Sequence, residues 1–240
     1  MKILEVEGLS KYFGGLAATV GVDFDVEEGE ILGLIGPNGA GKTTIFNLIS
    51  GALVPDSGVV RFKGAGIAGL KPHRIARMGI ARTFQSVKIF SKMSVFDNTR
   101  LGYLFGRMEQ TGVTEGSRKA TDEILEFVDL SAVKDFQATD LILADQKRLE
   151  VARALATQPE LLLLDEVMAG LTPTEVARSM ELVKRIRARG VTVLMIEHVM
   201  KAIMSICDRI IVLHHGEKIA EGTPREIVQN RTVIEVYLGE

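Results

Sequence analysis

The chain has 240 residues, 46% apolar and 25% charged, with 29 Lys+Arg against 31 Asp+Glu and a formal net charge of -2. That apolar content excludes a disordered chain, and the near-neutral balance, with no tryptophan and 5% aromatics, argues against a general nucleic-acid face or a base-stacking platform. Cys207 is the only cysteine, which excludes an internal disulfide, and no run of ~18 residues is free of charge, so no membrane-spanning helix is expected.

Met1 to Ser10 has no long apolar stretch and does not read as a secretory signal. Residues 20–26 alternate, with Val20, Val22, Phe24 and Val26 on one face, the period of a half-buried strand. Glu27 to Glu30 reads as a turn, Ile31 to Ile35 as a buried strand, Lys42 to Ser50 as a helix, and Val59 to Phe62 as a strand after a turn. Residues 93–158 show mainly helical spacing, as in Ile124, Leu125 and Val128, and the polar stretch from Gly106 to Gly116 reads as a loop. The last third alternates: an apolar run at Leu161–Leu164, a helix from Pro173 to Arg189, a run at Val191–Ile196, a helix from Val199 to Ile206 and a run at Ile210–Leu213. Such alternation predicts an α/β fold, a parallel sheet with helices on its faces, into which a helical subdomain is inserted.

Residues 36–43, Gly-Pro-Asn-Gly-Ala-Gly-Lys-Thr, fit G-x-x-x-x-G-K-[ST] between an apolar strand and a helical run. Glycines at Gly36, Gly39 and Gly41 let the N–H groups of the loop, Asn38 and Ala40 included, converge on phosphate oxygens at a helix N-terminus beginning near Thr44. Lys42 would reach the β- and γ-phosphates, and the Thr43 hydroxyl would ligate Mg²⁺. Leu161–Leu164 ends in Asp165-Glu166, and strands of an open parallel sheet deliver ligands at their carboxyl ends. Asp165 would hold Mg²⁺ through water, and Glu166 would orient or deprotonate the attacking water. His198, two residues beyond the Val191–Ile196 run, stands at an equivalent strand end and could report on a γ-phosphate.

In this order the pieces resemble the ATP-binding cassette (ABC) family of transporter ATPases over residues 2–222. The resemblance implies one cassette over 1–240: a P-loop NTPase core with a mixed sheet and an antiparallel β subdomain (1–85 and 158–222), an α-helical subdomain (86–157) and a tail (223–240). It implies ATP and Mg²⁺ as ligands. Tyr12 stands where the family places an adenine-stacking aromatic, and Gln85 matches the glutamine that touches Mg²⁺ and the attacking water and links to the membrane subunit. The family's Leu-Ser-Gly-Gly-Gln segment, which faces the nucleotide of the opposite subunit, reads Leu141-Ile142-Leu143-Ala144-Asp145 here. Ile142 lacks the hydroxyl, Leu143 and Ala144 fill space left by glycine, and Asp145 adds a negative charge. Val167 replaces a usual proline, and Thr172 stands where many members have an aspartate.

An asymmetric heterodimer with a second, intact cassette is therefore expected. The stretches Thr83–Gln85, Ala169–Leu171, Ile196–Met200 and Tyr237–Glu240 look like the subfamily serving branched-chain amino acid uptake. That likeness implies two integral membrane permease subunits, an extracytoplasmic solute-binding protein acting indirectly, no nucleic acid, and a peripheral place on the cytoplasmic face of the inner membrane. A second reading stays open: a regulatory or weakly hydrolysing partner in a heterodimeric system for another small solute such as urea. Cassette ATPases of DNA repair are disfavoured by the lack of a heptad tract, and translation cassettes by the single cassette.

Overall fold

The computed structural model describes residues 1–106 and 115–238. Two sheets organise them. An antiparallel sheet contains β1 (Lys2–Phe13), β2 (Leu16–Glu27), β4 (Ser57–Phe62) and β5 (Ala65–Gly66) in the order β2-β1-β4-β5. The larger sheet contains β3 (Ile31–Ile35), β6 (Ile80–Arg82), β7 (Leu161–Asp165), β8 (Thr192–Ile196), β9 (Arg209–His214) and β10 (Glu217–Gly222). Its order is β10-β9-β3-β8-β7-β6, parallel except for β10, which pairs antiparallel with β9.

β3, β7 and β8 are buried at every position, which is why each reads as an unbroken apolar run. The period-two alternation is present but hidden, because both faces are covered. Leu161, Leu163, Leu194, Leu32 and Leu34 pack toward the antiparallel sheet and α1 (Lys42–Ile49). Leu162, Leu164, Val193, Met195 and Ile31 pack toward α5 (Leu143–Ala156), α6 (Pro173–Ala188) and α7 (Met200–Ile206). Truncating any of these fully buried leucines to alanine would cost about 2–5 kcal/mol.

Between β6 and β7 the chain is helical: α3 (Val95–Phe105), α4 (Glu115–Phe127) and α5. The Ser94 hydroxyl caps α3 by accepting from the Asp97 N–H at 2.9 Å. Buried Asn98 anchors the approach to this helix, accepting from the Phe90 N–H at 2.9 Å and donating to the Phe90 carbonyl at 3.0 Å. α3 crosses α5 so closely that a Cβ on Gly102 would lie 2.2 Å from the Arg153 carbonyl oxygen.

Several elements differ from the expectation. β1 is a full strand, yet its pairing with β2 shifts register repeatedly, and each shift breaks the period-two pattern. β10 is a largely polar edge strand, and α2 (Pro72–Met78) buries only Ile75. Neither leaves a strong periodic trace in the sequence. The loop expected over 106–116 falls mostly outside the described residues, and its last two positions, Glu115 and Gly116, belong to α4. Thr172 caps α6 in a reciprocal capping box with Glu175, a local structural role for that unusual residue.

Gly102→Ala tests the crossing. The added methyl has no free volume, so stability falls by about 1–3 kcal/mol in a urea titration, with the slope of the transition unchanged.

Candidate functional site

β3 ends at Ile35, residues 36–41 form the loop, and α1 begins at Lys42. Gly41, the residue before the helix, has φ 100°, and a Cβ there would sit 2.4 Å from the Ala18 carbonyl oxygen. Only glycine fits this position. Lys42 is buried, and its ammonium donates to the carbonyls of Gly36 and Pro37 at 2.7 and 2.9 Å. Burial pushes its pKa down, while Glu166 and Asp165 oppose that shift.

The loop opens into a cleft of about 510 Å³. Asn38, Gly39, Ala40, Gly41, Lys42, Thr43 and Thr44 line one side, and Gln85, Glu166 and His198 face them. Glu166 is gripped at both oxygens: the Gln85 side-chain amide donates to Oε2 at 3.0 Å, and His198 Nε2 lies 2.9 Å from Oε1. With Glu166 ionised, that bond places the imidazole proton on Nε2. The Glu166 backbone is left-handed, with φ 51°. Parallel pairing of β7 with β8, which sets Asp165 opposite Ile196, brings Glu166 and His198 to the same edge.

Asp165 lies behind the cleft, 1% exposed. Its Oδ2 receives Arg82 Nη2 at 2.9 Å, and its backbone N–H donates to Thr83 Oγ1 at 3.0 Å. Asp165 Oδ1 is buried with no hydrogen-bond partner among the described residues. A buried carboxylate oxygen left without a donor is suited to accept one from a metal-bound water, and the Thr43 side chain is exposed on the cleft, so this residue set fits a Mg²⁺-nucleotide.

Tyr12 does not line the cleft; its neighbour Phe13 does, beside Leu16, Ala17 and Ala18. Two further residues lie in or beside stretches singled out in the sequence but are given no role there. Arg82 braces Asp165 while also donating to Asn47 Oδ1 at 2.6 Å and Ser50 Oγ at 3.1 Å on or next to α1. Glu197, 1% exposed, accepts from the Met168 N–H at 2.7 Å.

At the other end of the fold's helical segment, Ile142 stands at the N-cap of α5 with no side-chain cap bond. Ile142 and Leu143 are exposed. Asp145 pairs with Arg148 at 3.1 Å, so its charge is locally compensated.

A phosphate-cradling strand–loop–helix, faced by a paired carboxylate and a histidine on neighbouring parallel strands, defines a P-loop nucleoside triphosphatase. Residues 20–169 match the family described as ABC transporter, and residues 217–240 match the one described as Branched-chain amino acid ATP-binding cassette transporter. The chain belongs to the ABC transporter family and is an ATPase. It is 42% identical to the high-affinity branched-chain amino acid transport ATP-binding proteins BraF of Pseudomonas aeruginosa and LivG of Salmonella typhimurium, over 99% of this chain and 98% of each relative. Among solved structures it resembles the ADP conformation of an ATP-binding cassette of an ABC transporter, with a TM-score of 0.91 and 33% identity over the full length of both. It also resembles a dimeric post-hydrolysis cassette bound to ADP and Pi, with a TM-score of 0.84 and 26% identity over 92% of this chain and 99% of that one.

Glu197 gives the site a pH signature. Burial raises its pKa from 4.5 to about 7, against the Met168 N–H and the Lys147 charge. The folded state therefore binds more protons than the unfolded state between those values, and stability falls as pH rises from 4.5 to about 7. Glu197→Gln removes that loss. The variant melts higher than the parent at pH 8, by an amount equivalent to at most about 3 kcal/mol, and the gap closes near pH 4.

Proposed function

We propose that this chain is the ATP-hydrolysing subunit of an importer for branched-chain amino acids, paired with a second, different cassette and with integral membrane permease subunits. In this reading an extracytoplasmic binding protein delivers the solute, and the chain sits peripherally on the cytoplasmic face of the inner membrane. The observation that carries the hydrolytic part is the convergence of Gln85 and His198 on the Glu166 carboxylate across from the phosphate loop. The names of the relatives and the match at residues 217–240 support the solute class. Among the described residues no helix is long and apolar enough to cross a membrane, so transport needs partner subunits.

The loop N–H groups and Lys42 hold the triphosphate and offset charge building on the transferred phosphoryl group. Glu166 accepts a proton from, or orients, the attacking water, held in place by Gln85 and His198. Thr43 and Asp165 would hold Mg²⁺, with Gln85 beside them; when bound, the ion neutralises charge on the phosphate oxygens. Phe13, not Tyr12, supplies the aromatic surface for adenine, because Phe13 is the one on the cleft wall.

A groove of about 450 Å³ beside Phe84 supports the permease partner. It runs between the core and the helical segment and is walled by Ile75, Phe90, Leu101 and Phe105. A membrane-subunit segment seated there lies next to Gln85 and acts through it on Glu166. The weak start of α5 supports the heterodimer: with Ile142 in place of a hydroxyl residue, this chain lends a poorer anion site to its neighbour than it needs for itself.

Two measurements test the reading. Mixed with the second cassette and permeases, the chain hydrolyses ATP, and Glu166→Gln keeps ATP binding while turnover falls at least about 100-fold; normal turnover in that variant refutes the role of Glu166. Phe13→Ala weakens fluorescent-ATP binding about tenfold and Tyr12→Ala leaves it within twofold; the reverse ranking returns the adenine role to Tyr12.

A further inference from the structure

Lys147 stands in the second turn of α5 and is 7% exposed. An ammonium buried this far costs several kcal/mol unless it is bonded and balanced. Its Nζ donates to the backbone carbonyl of Glu166 at 2.7 Å. Burial pushes its pKa down, while Glu197, Glu150 and Glu166 hold it up. The same carbonyl accepts from the Ala169 N–H at 3.2 Å, and the Glu166 N–H donates to the Ile196 carbonyl at 2.9 Å. Glu197 takes the Met168 N–H from the opposite side.

The turn at 166–168 is therefore clamped between β8 and α5. The clamp matters because Glu166 is left-handed without being glycine, a conformation costing about 1–2 kcal/mol that surrounding bonds must maintain. Lys147 reaches this turn from α5 with a hydrogen bond to the Glu166 carbonyl. The first turn of that helix follows directly on Ile142, in the segment that faces the neighbouring cassette's nucleotide in the reading above.

We propose that Lys147 is a positioning residue for Glu166, linking the start of α5, where the partner's nucleotide is sensed, to the carboxylate that serves this chain's own nucleotide. The inference rests on the proposed function. Lys147 does not line the nucleotide cleft, so it acts on turnover and not on nucleotide affinity. A movement of α5 of about 1 Å at this contact is enough to misplace the base, and misplacement on that scale costs up to 100-fold in rate.

The test uses the full transporter complex with Lys147→Met, Lys147→Arg and the double variant Lys147→Met/Glu166→Gln. The expected result is a kcat at least tenfold lower for Lys147→Met, with KM and fluorescent-ATP binding within twofold of the parent. Lys147→Arg recovers most of the loss, and Lys147→Met adds nothing in the Glu166→Gln background. If Lys147→Met does not fold, Lys147→Gln, which keeps an N–H donor without the charge, is judged by the same split between kcat and KM. A kcat within twofold of the parent overturns the proposal, and so does a parallel loss of kcat and nucleotide binding. A parent complex that binds ATP but has no ATPase activity refutes the functional reading itself, and the inference falls with it.

Discussion

The carboxyl end of β7 has to present two adjacent acids to two different environments. Asp165 turns inward, where Arg82 covers one oxygen, and Glu166 turns outward between Gln85 and His198. β7 ends at Asp165, and the left-handed backbone of Glu166 turns the second carboxylate away from the first. Depth is set by the left-handed turn at Glu166, and lateral position by the register with β8. A slip of one residue would take Glu166 away from Gln85 and His198 and Asp165 away from Arg82. The parallel sheet, its two covered faces and the clamps on the turn all serve that requirement.

The charges follow from it. Lys42, Arg82, Asp165, Lys147, Glu150 and Glu197 all lie in or near the interior, where an isolated charge is costly. None is isolated. Arg82 answers one oxygen of Asp165 and leaves the other buried without a partner among the described residues. Lys42 feels both Asp165 and Glu166, and Lys147 feels Glu197, Glu150 and Glu166. Glu197 is the least balanced of the group, with one oxygen unpartnered among the described residues and a pKa pushed up to about 7.

The sequence makes legible what depends on short-range spacing. The phosphate loop announces itself because glycines and Lys42 must fall at fixed intervals for N–H groups to meet a phosphate. β3, β7 and β8 stand out because full burial excludes polar residues. The rest turns on geometry between distant segments. The bulges of β1 erase its period. At the end of the β1–β2 hairpin, Tyr12 and Phe13 are neighbours of similar chemistry, and only the packed hairpin decides which one faces the cleft. Arg82, Lys147 and Glu197 are ordinary charged residues until β6, α5 and β8 converge on β7.

The start of α5 shows how the proposed asymmetry could be stable as well as functional. Asp145 is the substitution that looks most hostile to a triphosphate, yet Arg148 neutralises it in place. On the proposed reading the lasting defect is at Ile142 and Leu143, apolar side chains that are 62% and 44% exposed where the resemblance implies a hydroxyl and a close backbone approach. Exposed apolar surface at a helix start gains about 25 cal/mol for each Å² that a neighbour covers. On the proposed reading, the change that weakens the anion site strengthens contact with the partner cassette. Such a chain would favour staying docked over tightening on nucleotide at that site, leaving the cycle of closure and release to the site built on Lys42 and Glu166.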